Sequence, residues 1–241
     1  MAIRRETLVY PGPGGLFEGA VAWDDAVASK RPGVLVLPNV LGQKEADTRK
    51  AEALAQLGYV GFAVDLYGQG KRTTRESPDP AVYMNQLNAD RALLRDRLHA
   101  ALATLKQHPL VDAGRTAAIG FCFGGKCVLD MARSGADLLG GVSFHGVYDR
   151  PDYVSAVPIR AKLLICHGWD DPLGPPEMVT ALAAELTEAQ ADWQLHAYGH
   201  AGHAFTDRST PAGTRPGFGY ADKADRRSWQ AMDNFLAGLF A

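Results

Sequence analysis

The stretch that decides the fold is Thr116-Ala117-Ala118-Ile119-Gly120-Phe121-Cys122-Phe123-Gly124-Gly125. Residues 116–120 are a short apolar run and read as a strand buried on both faces. Residues 124–134 read as a helix that opens on glycine. A cysteine therefore stands on a tight strand-to-helix turn, with glycine two residues before it and two after. Glycine at both places lets strand and helix approach without a Cβ clash. Such a turn lifts its central side chain above the sheet at a helix N-terminus, where the helix dipole favours thiolate over thiol. The next backbone N–H, that of Phe123, then points at an oxyanion developing on an attacked carbonyl.

Outward from this turn, apolar runs alternate with amphipathic stretches. Residues 33–37 (GVLVL) and 60–64 (VGFAV) read as buried strands, and 141–144, 162–166 and 193–197 as later ones. Helices are expected over 45–57, 89–108, 176–189 and 221–240. The first carries Ala51, Leu54, Ala55 and Leu57 at helical spacing, with Gly58 as its stop. The third opens on proline, where a missing N–H costs nothing. Residues 8–10 and 17–23 read as short early strands around a turn-rich 11–15, and 66–80 as a polar surface loop. The alternation predicts an α/β fold, one domain over 1–241, with a mostly parallel central sheet and helices on both faces. Ligands in such sheets bind outside the carboxyl ends of the strands.

Composition narrows the function. The 241 residues are 46% hydrophobic and 22% charged, which excludes disorder and fibrous repeats. Lys plus Arg number 25 against 27 Asp plus Glu, so a net charge of −2 gives no general attraction to nucleic acid or an anionic membrane. No stretch is long and apolar enough to span a bilayer, and the start lacks a signal-like apolar run. The three cysteines are too few and too odd in number for a disulfide framework. A cytoplasmic location is expected; the oligomeric state is not legible. Cys127, one turn into the helix, and Cys166, inside a strand, read as small buried hydrophobes.

A nucleophile on such a turn needs an imidazole, and the imidazole needs an orienting carboxylate. The segment Cys166-His167-Gly168-Trp169-Asp170-Asp171-Pro172 runs from a strand into a loop. Asp171 is the favoured acid because Pro172 holds it extended; Asp170 is the fallback. Of the seven histidines, His196, His200 and His203 follow the acid. His203 lies in a loop and is favoured as base, whereas His196 lies within a strand. The three together could suggest metal ligation, but Gly199 and Gly202 break the helix that such spacing needs; neither metal nor cofactor is expected. Lys44, Arg72, Arg75 and Arg208 lie in loops that could approach the site. Tyr83, Phe121, Phe123, Trp169 and Phe205 could line an apolar pocket, and Tyr83, Trp169 and Arg208 are candidate pocket residues. His145 also stands near a strand end.

With these segments in order, the chain resembles the dienelactone hydrolase family of α/β-hydrolases. The resemblance runs from about Gly33 to the C-terminal helix. It rests on Gly-Phe-Cys-Phe-Gly-Gly, Asp171-Pro172, Gly202-His203-Ala204-Phe205, Gly58-Tyr59-Val60 leading to Asp65-Leu66-Tyr67, and Ser143-Phe144-His145-Gly146. It implies an α/β-hydrolase fold, a Cys122-Asp171-His203 triad and hydrolysis of a small-molecule ester or lactone. It also implies that the backbone N–H of Val40 is the second oxyanion donor. The family's best-known members carry Glu in an E-x-x-G pattern where this chain has Asn39, a further candidate pocket residue. That Glu is linked to the thiol's protonation and to substrate-triggered activation. Asn is neutral and cannot accept a thiol proton, so either His203 alone activates Cys122 or the substrate differs. The rival readings are a non-catalytic binding protein of the same fold and a thiol redox sensor.

Overall fold

The computed structural model describes residues 2–153, 157–213 and 215–241. At its centre lies β3 (Arg31–Leu37), whose residues are all buried. It pairs in parallel with β4 (Val60–Ala63) on one side and β5 (Val111–Phe121) on the other. Beyond β5 follow β6 (Gly140–Phe144), β7 (Lys162–Gly168) and β8 (Trp193–Tyr198), each parallel to its neighbour. At the opposite edge β1 (Ile3–Gly12) and β2 (Gly15–Asp24) form an antiparallel hairpin joined to β4. The sheet has eight strands in the order β1-β2-β4-β3-β5-β6-β7-β8. Among the described residues no helix is long and apolar enough to cross a membrane.

Strand alternation divides the core in two. Leu35, Leu37, Phe62 and Ala118 face one side, where they meet α3 (Arg91–Gln107), α4 (Phe123–Arg133) and α5 (Pro176–Glu188). Val34, Val36, Ala117 and Ile119 face the other side and meet α1 (Glu45–Gln56) and α6 (Asp222–Leu239). Both faces are therefore covered, which is why β3 reads as an unbroken apolar run rather than an alternating one.

The structure departs from the sequence expectation in several elements; β5 begins at Val111, five residues ahead of the expected 116. The two early strands are ten residues each, longer than the expected 8–10 and 17–23. The outer part of β1 carries Arg4, Arg5 and Glu6 facing solvent, so backbone pairing rather than apolar pattern defines it. The helix expected over 89–108 begins later, at Arg91, because Asp90 caps it by accepting from Leu93 N–H at 2.8 Å. Ahead of it stands a short helix with no apolar stripe to announce it, α2 (Val82–Ala89), in which only Leu87 is buried.

The turn between β5 and α4 is closely packed. A Cβ at Gly120 would run into the Gly124 carbonyl, and one at Gly124 into the Leu37 carbonyl. Gly124→Ala should therefore cost about 1–3 kcal/mol, read as a lowered midpoint of urea denaturation. Gly238→Ala is the control. It lies in α6, where a Cβ would meet nothing within 4 Å, and should be neutral or stabilising by up to about 1 kcal/mol.

Candidate active site

The carboxyl ends of the parallel strands bring the chemistry together. Cys122 follows β5, His145 follows β6, Asp171 lies three residues past β7, His203 lies past β8, and Val40 lies past β3. Each element thus contributes through the loop that leaves its carboxyl end.

Cys122 stands alone between β5 and α4, with φ 56° and ψ −114°. A non-glycine residue in that region is strained and is held only where its surroundings over-determine it. Here the Cys122 N–H is shared between the Phe144 carbonyl, at 3.0 Å, and His145 Nδ1, at 3.1 Å. The Cys122 carbonyl starts α4, accepting from Gly125 and Lys126 N–H. The side chain is half-buried, whereas Cys127 and Cys166 are buried.

His203 is 4% exposed and Asp171 2%. The imidazole Nδ1–H donates to Asp171 Oδ2 at 2.8 Å, while Asp171 Oδ1 accepts from Leu173 N–H at 2.8 Å. Asp170 is exposed and its N–H is tied to the Ala201 carbonyl, so of the two candidate acids it is Asp171 that meets the imidazole. His203 Nε2 is buried without an aligned partner among the described residues. The group that acts on it there, by charge and by side-chain hydrogen bonding, is the Cys122 sulfur.

The charges follow from this placement. Burial disfavours a thiolate at Cys122, but the His203 charge and hydrogen bond outweigh it, aided by the backbone N–H groups of Phe123 and Val40. The net effect holds the thiol below its ordinary range. Burial likewise disfavours an imidazolium at His203, but the Cys122 charge and the Asp171 hydrogen bond override it, raising His203 to about 10. Both shifts run in the direction that favours a thiolate beside an imidazolium over two neutral groups. Elsewhere burial decides: Cys127 is pushed well up, and Cys166 is pushed up to about 12.

The loop carrying Val40 is fixed from two sides. Asn39 Oδ1 accepts from Leu41 N–H at 3.0 Å, and the Asn39 carbonyl accepts from Gly42 N–H at 3.1 Å. The side chain of Asn39 thus closes a local turn. Tyr67 O–H donates to the Val40 carbonyl at 3.0 Å. Sequence reasoning gave Tyr67 no role at the site, and did not find the seat of His203. That seat is the 217–219 segment: His203 N–H donates to the Gly217 carbonyl at 2.7 Å, and Gly219 N–H to the His203 carbonyl at 2.9 Å.

The other expected residues have the following partners. Arg208 lies 3.6 Å from Asp225 of α6 and over the Tyr220 ring. Trp169 is 46% exposed with its ring edge-on to His167; a loop residue's sequence position does not fix which way its ring points. Arg72 is held by the Gln43 and Glu18 carbonyls, and Arg75 by Asp207 at 2.7 Å. Tyr83, on α2, packs on Tyr67 with ring centroids 5.5 Å apart, and Tyr67 in turn lies 6.3 Å from Phe123. His196 and His200 are exposed while His203 is buried, so the three diverge. Among the described residues no group of three or more His, Cys, Asp or Glu is placed to hold a metal ion.

Comparison with known proteins gives a consistent picture. The model of the dienelactone hydrolase family matches residues 17–240. The crystal structure of a dienelactone hydrolase-like promiscuous phosphotriesterase from metagenomic libraries superposes with a TM-score of 0.93 at 35% identity, covering 100% of both chains. A solved structure named m3DLH superposes at 0.91 with 37% identity, again over 100% of both. A Bradyrhizobium protein named as a probable 2-oxo-3-(5-oxofuran-2-ylidene)propanoate lactonase is 27% identical over 188 residues, 74% of this chain and 75% of its own.

The charge placement makes a prediction for the three thiols. Iodoacetamide labelling of Cys122 against pH, followed by peptide mass spectrometry, should have its midpoint below the ordinary thiol value of about 8.5. Cys127 and Cys166 should stay unlabelled while the chain is folded. A Cys122 profile rising through about pH 8.5 would contradict the ion pair.

Proposed function

The chain belongs to the dienelactone hydrolase family, and from that premise we propose that it hydrolyses small carboxylic esters or lactones through Cys122, His203 and Asp171. The observation that carries the reading is geometric: Cys122 stands strained on the turn between β5 and α4, and a buried His203 holds Asp171 at 2.8 Å through Nδ1 and so leaves Nε2 for the sulfur.

The thiolate attacks the carbonyl carbon, and the carbonyl π electrons move onto oxygen. The Val40 and Phe123 N–H groups, which face the sulfur at rest, take over the oxyanion. Collapse breaks the C–O bond of the ester or ring, and the imidazolium Nε2–H gives its proton to the departing alkoxide oxygen. The acyl group is left as a thioester on Cys122. Neutral His203 then takes a proton from water, the hydroxide adds to the thioester carbonyl, and collapse releases the acid and restores the thiolate. In a lactone the alkoxide remains tethered to the acyl chain, so one hydroxy acid is the product.

In this scheme the proton to be given sits on His203, so attack needs no prior transfer to a carboxylate in the place of Asn39. The aromatic series Tyr83, Tyr67 and Phe123 beside Cys122 favours an apolar or aromatic substituent on the substrate.

Cys122→Ala should abolish hydrolysis of a small aryl ester with the fold intact, and undiminished turnover would sink the assignment. His203→Ala should lower kcat about 100- to 10,000-fold, and intact-mass analysis of a quenched reaction should find the acyl adduct on Cys122. Full Cys122 labelling without esterase activity would favour a redox sensor; neither would favour a binding protein. Tyr83→Ala should raise KM for a phenyl ester by roughly 5-fold or more, and less for a methyl ester, if the ring contact contributes about 1 kcal/mol.

A further inference from the structure

His145 takes no part in the steps above, yet it touches both catalytic loops. It is 2% exposed and follows β6 directly. Its backbone lies in the left-handed region, with φ 38°, where a side chain is disfavoured and glycine would be easier. The imidazole has polar partners at both ends. Nδ1 lies 3.1 Å from Cys122 N, and Nε2 lies 2.8 Å from Thr206 Oγ1. A backbone N–H can only donate, so Nδ1 is the acceptor and the ring proton is on Nε2, donating to Thr206.

The ring is also wedged in place. It meets His203 at 5.2 Å and 68°, and Phe205 at 5.0 Å and 82°, both edge to face, and Phe121 at 6.2 Å. Thr206 is three residues past His203, so one imidazole spans the Cys122 turn and the His203 loop. Sixty-one residues of sequence separate His145 from its partner on that side.

We propose that His145 is a positioning residue that ties the Cys122 turn to the His203 loop and so holds sulfur and imidazole in register. The proposal rests on the reading of Cys122 as nucleophile. Its physical content is that a strained backbone relaxes unless its neighbours forbid it. Without the Nδ1 acceptor, the Cys122 N–H keeps only the Phe144 carbonyl. Without the ring, His203 loses the surface that it packs against on this side. Sulfur then drifts from His203 and from the Val40 and Phe123 N–H groups, and the thiolate loses support. His145 serves this role as a neutral ring. A second proton would occupy Nδ1 and remove the acceptor. Burial first, and then the charge of His203, hold its proton affinity well below the ordinary histidine value. The charged groups that bear on it are His203 from the loop after β8 and Lys50 from α1, and the titratable group it binds through the backbone is Cys122.

The test compares His145→Ala, His145→Gln and Thr206→Val, reading kcat and KM on an aryl ester and the pH profile of Cys122 alkylation by iodoacetamide. His145→Ala should lower kcat about 10- to 100-fold with KM changed less than about 3-fold, and should move the alkylation profile to higher pH. His145→Gln offers an amide oxygen to Cys122 N–H and an amide N–H to Thr206, and should recover activity to within about 5-fold of the parent with a near-parent profile. Thr206→Val keeps the volume and removes the acceptor, and should give a roughly 3- to 10-fold loss in the same direction. Folded His145→Ala with unchanged kcat and profile overturns the proposal, as does His145→Gln that behaves like His145→Ala. If His145→Ala does not fold, Thr206→Val decides: an unchanged kcat and profile overturns the proposal, and a fall in kcat with an upward profile shift supports it. Failure of the nucleophile reading is separately visible, since Cys122→Ala would then retain turnover while the alkylation profiles still report on His145.

Discussion

The left-handed backbone at Cys122 is the constraint on which the site depends. A strand must end and a helix begin within one residue, and that residue bears a side chain. The turn survives because it is closed on every side. Gly120 and Gly124 remove the Cβ atoms that would collide with the Gly124 and Leu37 carbonyls. The Cys122 N–H finds two acceptors on the neighbouring strand end, and its carbonyl opens the helix. Strain of this kind costs about 1–3 kcal/mol and is tolerated because the parallel strands β3, β5 and β6 are already locked in register.

The same turn also sets the local electrostatics. Desolvation alone would make both Cys122 and His203 neutral, as it does at Cys127 and His145. The difference lies in pairing. Cys122 has the His203 imidazole, the start of a helix and the Phe123 and Val40 N–H groups acting on its sulfur, and His203 has the Asp171 carboxylate on one side and the Cys122 sulfur on the other. His145, 5.2 Å from His203, has only an amide donor and a hydroxyl, and stays neutral. Two buried histidines side by side are thus pushed in opposite directions, for reasons that can be read from their partners.

How much was legible follows the same division between local and distant contacts. Cys122, Asp171 and His203 stand in short segments whose glycines, proline and strand flanks mark them within ten residues. The parallel core strands were legible because burial on both faces leaves an unbroken apolar run. The partners that hold the site were not, since they come from far along the chain: Tyr67 reaches Val40 across 27 residues and His145 reaches Thr206 across 61. Side-chain direction was also invisible. Arg208 and Trp169 lie in the right loops, but the first turns to Asp225 and the second to His167. Helix α2 escaped because a helix with one buried residue leaves almost no period in the sequence.

The far end of α4 meets the same requirement by different means. All eleven of its residues are buried, including Lys126, Asp130 and Arg133. Asp130 is gripped by Arg91 from α3 at 2.5 Å and by Arg133 at 3.4 Å; Arg133 also reaches Glu185 of α5 at 2.8 Å, and Lys126 and Arg91 share Asp149 after β6. A buried ionic set of this kind stabilises less than well-packed apolar side chains would, because desolvation offsets most of the attraction. What it supplies is direction. Apolar contacts allow a helix to slide along its neighbours with little change in area, whereas ion pairs to three separate elements fix its position and rotation. Arg133 in the last turn also complements the negative end of the helix dipole. The N-terminus of α4 carries the Phe123 N–H directly after Cys122, so a shift of the whole helix would be felt at the turn at once. The buried charges along α4, from Lys126 in its first turn to Arg133 in its last, and the strained cysteine at its start are therefore two parts of one positioning problem.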